Sequence, residues 1–229
     1  MKYIVWAGHR LVSLYREGQP GLPPAGQLTD ILTGLDGDLH RVGLSLENAV
    51  RHRLWTSDRA TREATNEVRA RLITGRRRCA TSSFIDARRF VSTGDVSVEL
   101  LAQYPAAADH RRLVDFDPPR RYARYLAQDG LMFVSGMAES GASPDAQFDK
   151  AMGEVAEAMR RESVAWRDVL SAQLFVERGH RDPAWLTDRF RQAAGVDLPY
   201  LDCEEVDGLA SPDKHLEIEI TARIGAMNA

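Results

Sequence analysis

An internal repeat at a constant offset of 120 residues constrains this chain more than any other feature. Leu11 falls on Leu131, Gln27 on Gln147, Leu54 on Leu174, Trp55 on Phe175, Glu99 on Glu219 and Ala102 on Ala222. No gap separates these anchors, apart from a compensated slip around the fourth strand of each copy. Duplication changes every later inference, because one fold must now account for both halves. With 229 residues, the chain has room for two units of roughly 100 residues each. We place the first at 1–104 and the second at 120–229. The connector at 105–119 falls in the run QYPAAADHRRLVDFDPPR, which is rich in proline, alanine and charge.

The local patterns agree between the copies. Leu28, Ile31, Leu32, Leu35 and Leu39 recur at helical spacing, and Phe148, Ala151, Met152, Val155 and Met159 occupy the same stripe in the second copy. Ser143 as N-cap, Pro144 at the first helical position and Asp145 in the first turn start the second helix cleanly. Gly34 and Gly37 each cost the first helix about 1 kcal/mol relative to alanine, so it must lean on tertiary packing. AVRHRLWT (49–56) and VLSAQLFV (169–176) read as strands, followed by helices near 60–73 and 183–193. The closing strands are DVSVELLA (95–102) and HLEIEITARI (215–224). In the latter Leu216, Ile218, Ile220, Ala222 and Ile224 alternate with His215, Glu217, Glu219, Thr221 and Arg223. With its two opening strands, each copy reads β-β-α-β-α-β-β, an α+β unit with helices on one face of a sheet.

Charge and motif content exclude several functions. A formal net charge of -3 and a pI near 6.1 provide no basic field for a nucleic acid. No apolar run approaches the roughly 20 residues of a membrane span, and no leader pattern opens the sequence, so a cytoplasmic location is expected. Cys79 and Cys203 are far apart and suit reduced thiols. The histidines at 9, 40, 52, 110, 180 and 215 show no HxH or HExxH spacing, and glycine-rich phosphate loops are missing. No metal, nucleotide or flavin cofactor is expected; the expected partner is a small-molecule substrate.

The strings LMFVSGM, WRDVLSAQLFV and LEIEITA, with Gln147, in the second copy, and GLSLENAVRHRLW, TNEV with Asn66, and VSVELLA in the first, carry a family resemblance. In order and spacing they resemble the Rid (YjgF-like, reactive intermediate deaminase) family in both halves. The resemblance implies a chorismate-mutase-like fold, association into homotrimers whose sheets form a barrel, and ligand clefts between neighbouring units. It also implies kinship with chorismate-hydrolysing enzymes that carry two such units. In deaminating members an arginine holds the substrate carboxylate, a tyrosine lies near the start and a glutamate on the last strand helps activate water. Tyr122, Ser135, Gly136, Cys203 and Glu217 match positions of that set. The arginine has no match: Leu201 stands there in the second copy and Ser82 in the first, with Ser97 at the glutamate position. Losing a charged hydrogen-bonding partner removes roughly 1.5–3 kcal/mol of substrate binding, which disfavours ordinary imine hydrolysis unless another arginine reaches the cleft.

The candidate acid–base residues are therefore Glu217, Tyr122 and His215. Ser135, Gly136, Met137, Leu201, Cys203, Asn66, Ser82, Arg78 and Arg124 are candidate binding residues. For Glu217 the alternative is the polar inner face of a barrel, for Tyr122 a packed phenol, and for Arg78 and Arg124 solvated arginines. Asp202, Glu204 and Glu205 surround the vacated arginine position and would repel a carboxylate, favouring a neutral ligand. One reading is a cofactor-independent enzyme that hydrolyses, dehydrates or cyclises a reactive carbonyl, imine or quinone-like intermediate in specialised metabolism. The others are an imine or enamine deaminase with a relocated arginine, and a non-catalytic ligand-binding or scaffold protein.

Overall fold

The computed structural model describes residues 1–6, 8–90 and 94–225. The first half runs β1 (Lys2–Trp6), β2 (His9–Glu17), α1 (Pro24–His40), β3 (Ala49–Thr56), α2 (Arg59–Leu72), β4 (Ala80–Ile85) and β5 (Val96–Gln103). A strand in the connector, β6 (Arg111–Asp115), precedes the second half. That half comprises β7 (Ala123–Gln128), β8 (Leu131–Met137), α3 (Pro144–Arg161), β9 (Val169–Glu177), α4 (Pro183–Ala194), β10 (Leu201–Val206), a short β11 (Gly208–Leu209) and β12 (Leu216–Arg223). The order β-β-α-β-α-β-β is present twice. The slip at the fourth strand appears as a start at Ala80 in one copy and Leu201 in the other.

The two six-stranded sheets, β1-β2-β5-β3-β4-β11 and β10-β9-β12-β8-β7-β6, share the order of their five repeat strands and differ in the edge that carries the sixth. In each half the last long strand lies between the second and third, and the fourth pairs with the third in parallel. β11 belongs to the second half in sequence yet pairs with β4 of the first, with Gly208 opposite Ile85 and Leu209 opposite Phe84. Among the described residues no helix is long and apolar enough to cross a membrane.

Local chemistry starts the helices. The Ser143 hydroxyl accepts from the Ala146 N–H at 3.2 Å, and Asp58 and Asp182 accept from the first turns of α2 and α4, both at 2.7 Å. α1 and α3 bury the apolar stripes read from the sequence. Gly34 has a packing reason: a side chain there would collide with the Arg16 guanidinium, which crosses the helix to reach Asp38 at 3.2 Å.

Each half has its own core between sheet and helices, with Ile31, Leu35, Leu54 and Val98 in the first and Phe148, Val155, Leu174 and Ile218 in the second. A third cluster of Trp55, Phe84, Ala138, Phe175, Val206 and Leu209 joins the two sheets. Phe84 stacks on Phe175 at 3.9 Å, and Trp55 meets Phe175, its counterpart in the repeat, at 6.0 Å. Arg53 Nη2 likewise donates to Gln173 Oε1 at 3.1 Å, 120 residues away. The helix-free faces of the sheets therefore cover one another. As a result the polar face of β12 is as buried as its apolar one, with Glu217 3% and Glu219 1% exposed.

Candidate active site

The alternation of β12 aims Glu217 and Glu219 at the opposing sheet, where their surroundings differ sharply. Glu219 is gripped by Arg51 and by Arg53, whose Nε lies 3.0 and 3.1 Å from its two oxygens. It also accepts from the Ser82 hydroxyl at 2.5 Å. Burial alone would raise the Glu219 pKa, but Arg51, Arg53 and Ser82 overcome it and hold the carboxyl at about 2. This buried ion cluster ties β3 and β4 of one half to β12 of the other.

Glu217 has no such partner. Its Oε1 is buried without a hydrogen bond among the described residues. The carboxyl occupies the space above Gly136, where a Cβ would coincide with it and come within 2.7 Å of the Ser82 hydroxyl. Burial, reinforced by the negative charge of Glu219, pushes its pKa up to about 8. Two glutamates at alternate positions of one strand thus hold opposite charge states at neutral pH, a pattern that separates a proton-bearing acid from a fixed anion.

A cavity of about 50 Å³ is lined by Asn66, Arg69, Arg78, Cys79 and Thr81 from the first half and Tyr122 from the second; Glu217 is not among its lining residues. The Thr81 N–H donates to the Ser135 Oγ at 3.1 Å, and the next residues along those strands, Ser82 and Gly136, flank Glu217. Tyr122 packs edge-on against Phe116 at 5.2 Å and accepts from Arg120 Nη1 at 3.3 Å; burial raises its phenol above the usual range. Arg69 reaches in from α2, donating to the Ser82 carbonyl and the Ser83 hydroxyl. Neither Arg69 nor Arg62, two turns earlier on the same face of α2, has a carboxylate partner among the described residues, and Arg62 Nε is buried without a hydrogen bond. Burial, then the charge of Arg62, lowers Arg69 to about 10, which leaves it cationic at neutral pH. Glu217 lies close enough for its charge to act on Arg62, Arg69 and Tyr122 alike.

The sequence reading did not single out Arg62 or Arg69. Their signal was the spacing Arg62, Asn66, Arg69 along one face of α2, a helix whose buried residues are only Thr61 and Thr65. Such a polar stripe cannot serve a core.

Several expected site residues lie elsewhere. Met137 is buried in the helix-side core of the second half, and Leu201 and Cys203 pack partly against that same core from β10. Burial pushes the Cys203 thiol up to about 12. Because the cavity joins α2 and the start of β4 in the first half to the start of β7 in the second, the positions on β10 do not line it. Asp202, Glu204 and Glu205 are on β10 as well, and Glu204 pairs with Arg89 at 2.8 Å, so the expected repulsion of a carboxylate loses its basis. Arg78 lines the cavity but is engaged by Asp115 at 2.5 Å. Arg124 pairs with Glu154 of α3 at 2.9 Å, on the helix side. His215 turns away from Glu217 towards Glu177 at 2.5 Å.

A larger cavity of about 450 Å³ opens between the sheets beside Arg51, Arg53, Glu99, Gln173, Tyr200 and Glu219. Its charges are already matched, since Arg53 bridges Glu99 and Glu219, and it has no counterpart of the strained Glu217 carboxyl. The smaller cavity holds the unbalanced chemistry.

No protein-family model and no curated protein matches this sequence. Solved structures do match. A member of the YjgF/YER057c/UK114 family from Mycobacterium tuberculosis is 26% identical, with a TM-score of 0.43, over 50% of this chain and 99% of its own. A YjgF family protein from Neisseria meningitidis is 25% identical, with a TM-score of 0.43, over 49% of this chain and 93% of its own. A chorismatase superposes with a TM-score of 0.63 at 17% identity over 97% of this chain and 79% of its own. The chain thus shares its fold with a chorismatase over nearly its whole length, and its own two halves repeat one β-β-α-β-α-β-β unit.

Proposed function

We propose that the seam between the halves is the active site of a cofactor-independent acid–base enzyme acting on a small, reactive, carboxylate-bearing molecule. The observation that carries this reading is that a proton-bearing Glu217 is near enough for its charge to act on Tyr122 and on Arg62 and Arg69, two arginines without a carboxylate partner among the described residues. Desolvated arginines without counter-ions are suited to an anion, and a carboxyl with a pKa near working pH is suited to proton transfer. Arg69 anchors the carboxylate. Glu217 gives its proton to the nitrogen of a C=N group or to the terminal carbon of an enol ether, and Tyr122 donates a hydrogen bond to the same group. The carboxylate left behind takes a proton from water as the water oxygen bonds to the electrophilic carbon, which restores Glu217 and leaves a carbinolamine or hemiketal. Its hydroxyl proton then passes to the nitrogen or ether oxygen as that atom's bond to carbon breaks, leaving a carbonyl and releasing an amine or an alcohol.

The cavity as it stands is smaller than the roughly 300 Å³ of a typical ligand pocket. Its rim residue Arg121 has a side chain 74% exposed and held only by the equally exposed Glu67 at 3.2 Å, so it swings out to admit substrate. Arg69 also favours a second reading, an imine deaminase whose arginine has moved from β4 to α2. Association into a homotrimer and a cytoplasmic setting belong to the same proposal, the former read by sedimentation velocity.

The test is turnover of 2-iminoacids and of carboxylated enol ethers. Glu217→Gln should reduce kcat by at least about 100-fold with the fold retained. Arg69→Ala should raise KM about 10-fold or more, whereas Arg78→Ala should not. Unchanged turnover in Glu217→Gln removes the reading, and a ligand recovered unaltered after long incubation replaces it with a binding protein.

A further inference from the structure

Glu177, His180 and His215 form a cluster that the acid–base reading leaves unused. Glu177 ends β9, His180 lies in the turn leading to α4, and His215 immediately precedes β12. Their backbones are tied together. The Glu177 N–H donates to the His215 carbonyl at 2.8 Å, and the His180 N–H to the Glu177 carbonyl at 3.1 Å. The His215 N–H donates at 2.8 Å to Oε1 of Gln147, itself buried. The side chains converge on a single oxygen, with His215 Nδ1 2.5 Å and His180 Nε2 3.5 Å from Glu177 Oε2. The two imidazole rings stack at 3.7 Å with their planes 11° apart, and one donor atom from each of the three residues lies within 4.8 Å of the others.

Zinc binds histidine nitrogen and carboxylate oxygen at about 2.0–2.2 Å, so donors of one tetrahedral site stand about 3.3 Å apart. The observed separations bracket that value, and since an imidazole nitrogen binds in the plane of its ring, the stacked rings must rotate apart about their side-chain torsions to share one ion. Two imidazoles and a carboxylate suit a borderline divalent ion and leave the fourth position to water. A plain histidine–glutamate pair would explain one ring. It does not explain a second ring stacked on the first with its nitrogen directed at the same oxygen. The His180 side chain is 42% exposed, which provides an entry path. The sequence pattern is E-x-x-H followed much later by a lone histidine, outside the usual paired-ligand spacings.

We infer that Glu177, His180 and His215 bind one divalent transition-metal ion of the zinc class, clamping the start of β12 to the turn between β9 and α4. Because β12 carries Glu217, such a clamp would stiffen one wall of the cleft.

Zn²⁺ is titrated by calorimetry into the full-length protein after chelator treatment, with Co²⁺ as a spectroscopic probe. One saturable site per chain is expected, with the visible bands of four-coordinate Co²⁺ and a higher Tm in Zn²⁺. His180→Ala and His215→Ala should each abolish all three signals, while His40→Ala, on exposed α1, should leave them intact. Absence of saturable binding by the wild-type protein overturns the inference, as does binding retained in either histidine variant. If His215→Ala fails to fold by circular dichroism, His180→Ala decides, since its side chain is too exposed to support the core. The readout is metal binding, so its failure leaves the acid–base reading of Glu217 untouched.

Discussion

The Ser82 hydroxyl, on β4 of the first half, donates at 2.5 Å to Glu219 on β12 of the second and lies beside the Glu217 carboxyl. It lowers both carboxyls, but Arg51 and Arg53 grip only Glu219, whereas burial and the charge of Glu219 dominate at Glu217. Two carboxyls on the same strand face therefore titrate far apart, at about 2 for Glu219 and about 8 for Glu217.

That split makes stability depend on pH. A carboxyl raised from 4.5 to about 8 favours the fold in its protonated form. Its contribution is full below about 4.5 and is lost as pH rises through 8. Glu219 behaves oppositely, stabilising above 4.5 and failing as pH falls towards 2, so it is silent in the window between 4.5 and 8. In that window Glu217 should contribute a falling slope of up to about 1.4 kcal/mol per pH unit. Urea unfolding at a series of pH values should show a flatter profile for Glu217→Gln than for the wild type. Parallel profiles would mean that Glu217 is ionised in the folded protein.

Gly136 leaves the space that the Glu217 carboxyl occupies. Gly136→Ala should destabilise by about 1–3 kcal/mol through overpacking. In a Glu217→Ala background the same change should lose at least half of its effect, because the colliding group has gone. Additive effects in a urea double-mutant cycle would place the carboxyl away from Gly136.

The Arg51–Glu219 pair is buried and shares its carboxylate with Arg53 and Ser82. Removing one partner strands a charge, so Arg51→Met should cost about 3–5 kcal/mol, and Arg51→Met with Glu219→Leu much less than the sum of the single changes. Arg160 and Glu157, both at the surface of α3, provide the contrast. Arg160→Ala should leave the unfolding midpoint nearly unchanged. Equal losses for the buried and exposed arginines in chemical denaturation would argue against a dry seam between the sheets.

The repeat, the order of strands and helices along the chain, the helix cap at Ser143 and the alternation of β12 were legible in the sequence. Each is set by interactions within a few residues or by a periodicity that the copies share. Glu217 and Tyr122 were legible as candidates. Arg69 was overlooked because an arginine on a helix is ordinarily solvated, and nothing local reveals that another sheet covers that face. Leu201, Cys203 and Met137 pack against the helix-side core of the second half, which strand alternation alone could not show.

The sequence by itself determined the module and its duplication, since hydrophobic period, capping and turn chemistry act locally and act twice. Only the tertiary structure decided that the first half's α2 and β4 close on the second half's β7, β8 and β12, and that the lone histidines at 180 and 215 stack. Alternation along a strand tells which side of its own sheet a residue faces, but not which distant surface covers that side. The charge state of Glu217 depends on that cover, because desolvation and neighbouring charges arise only when the two sheets pack together.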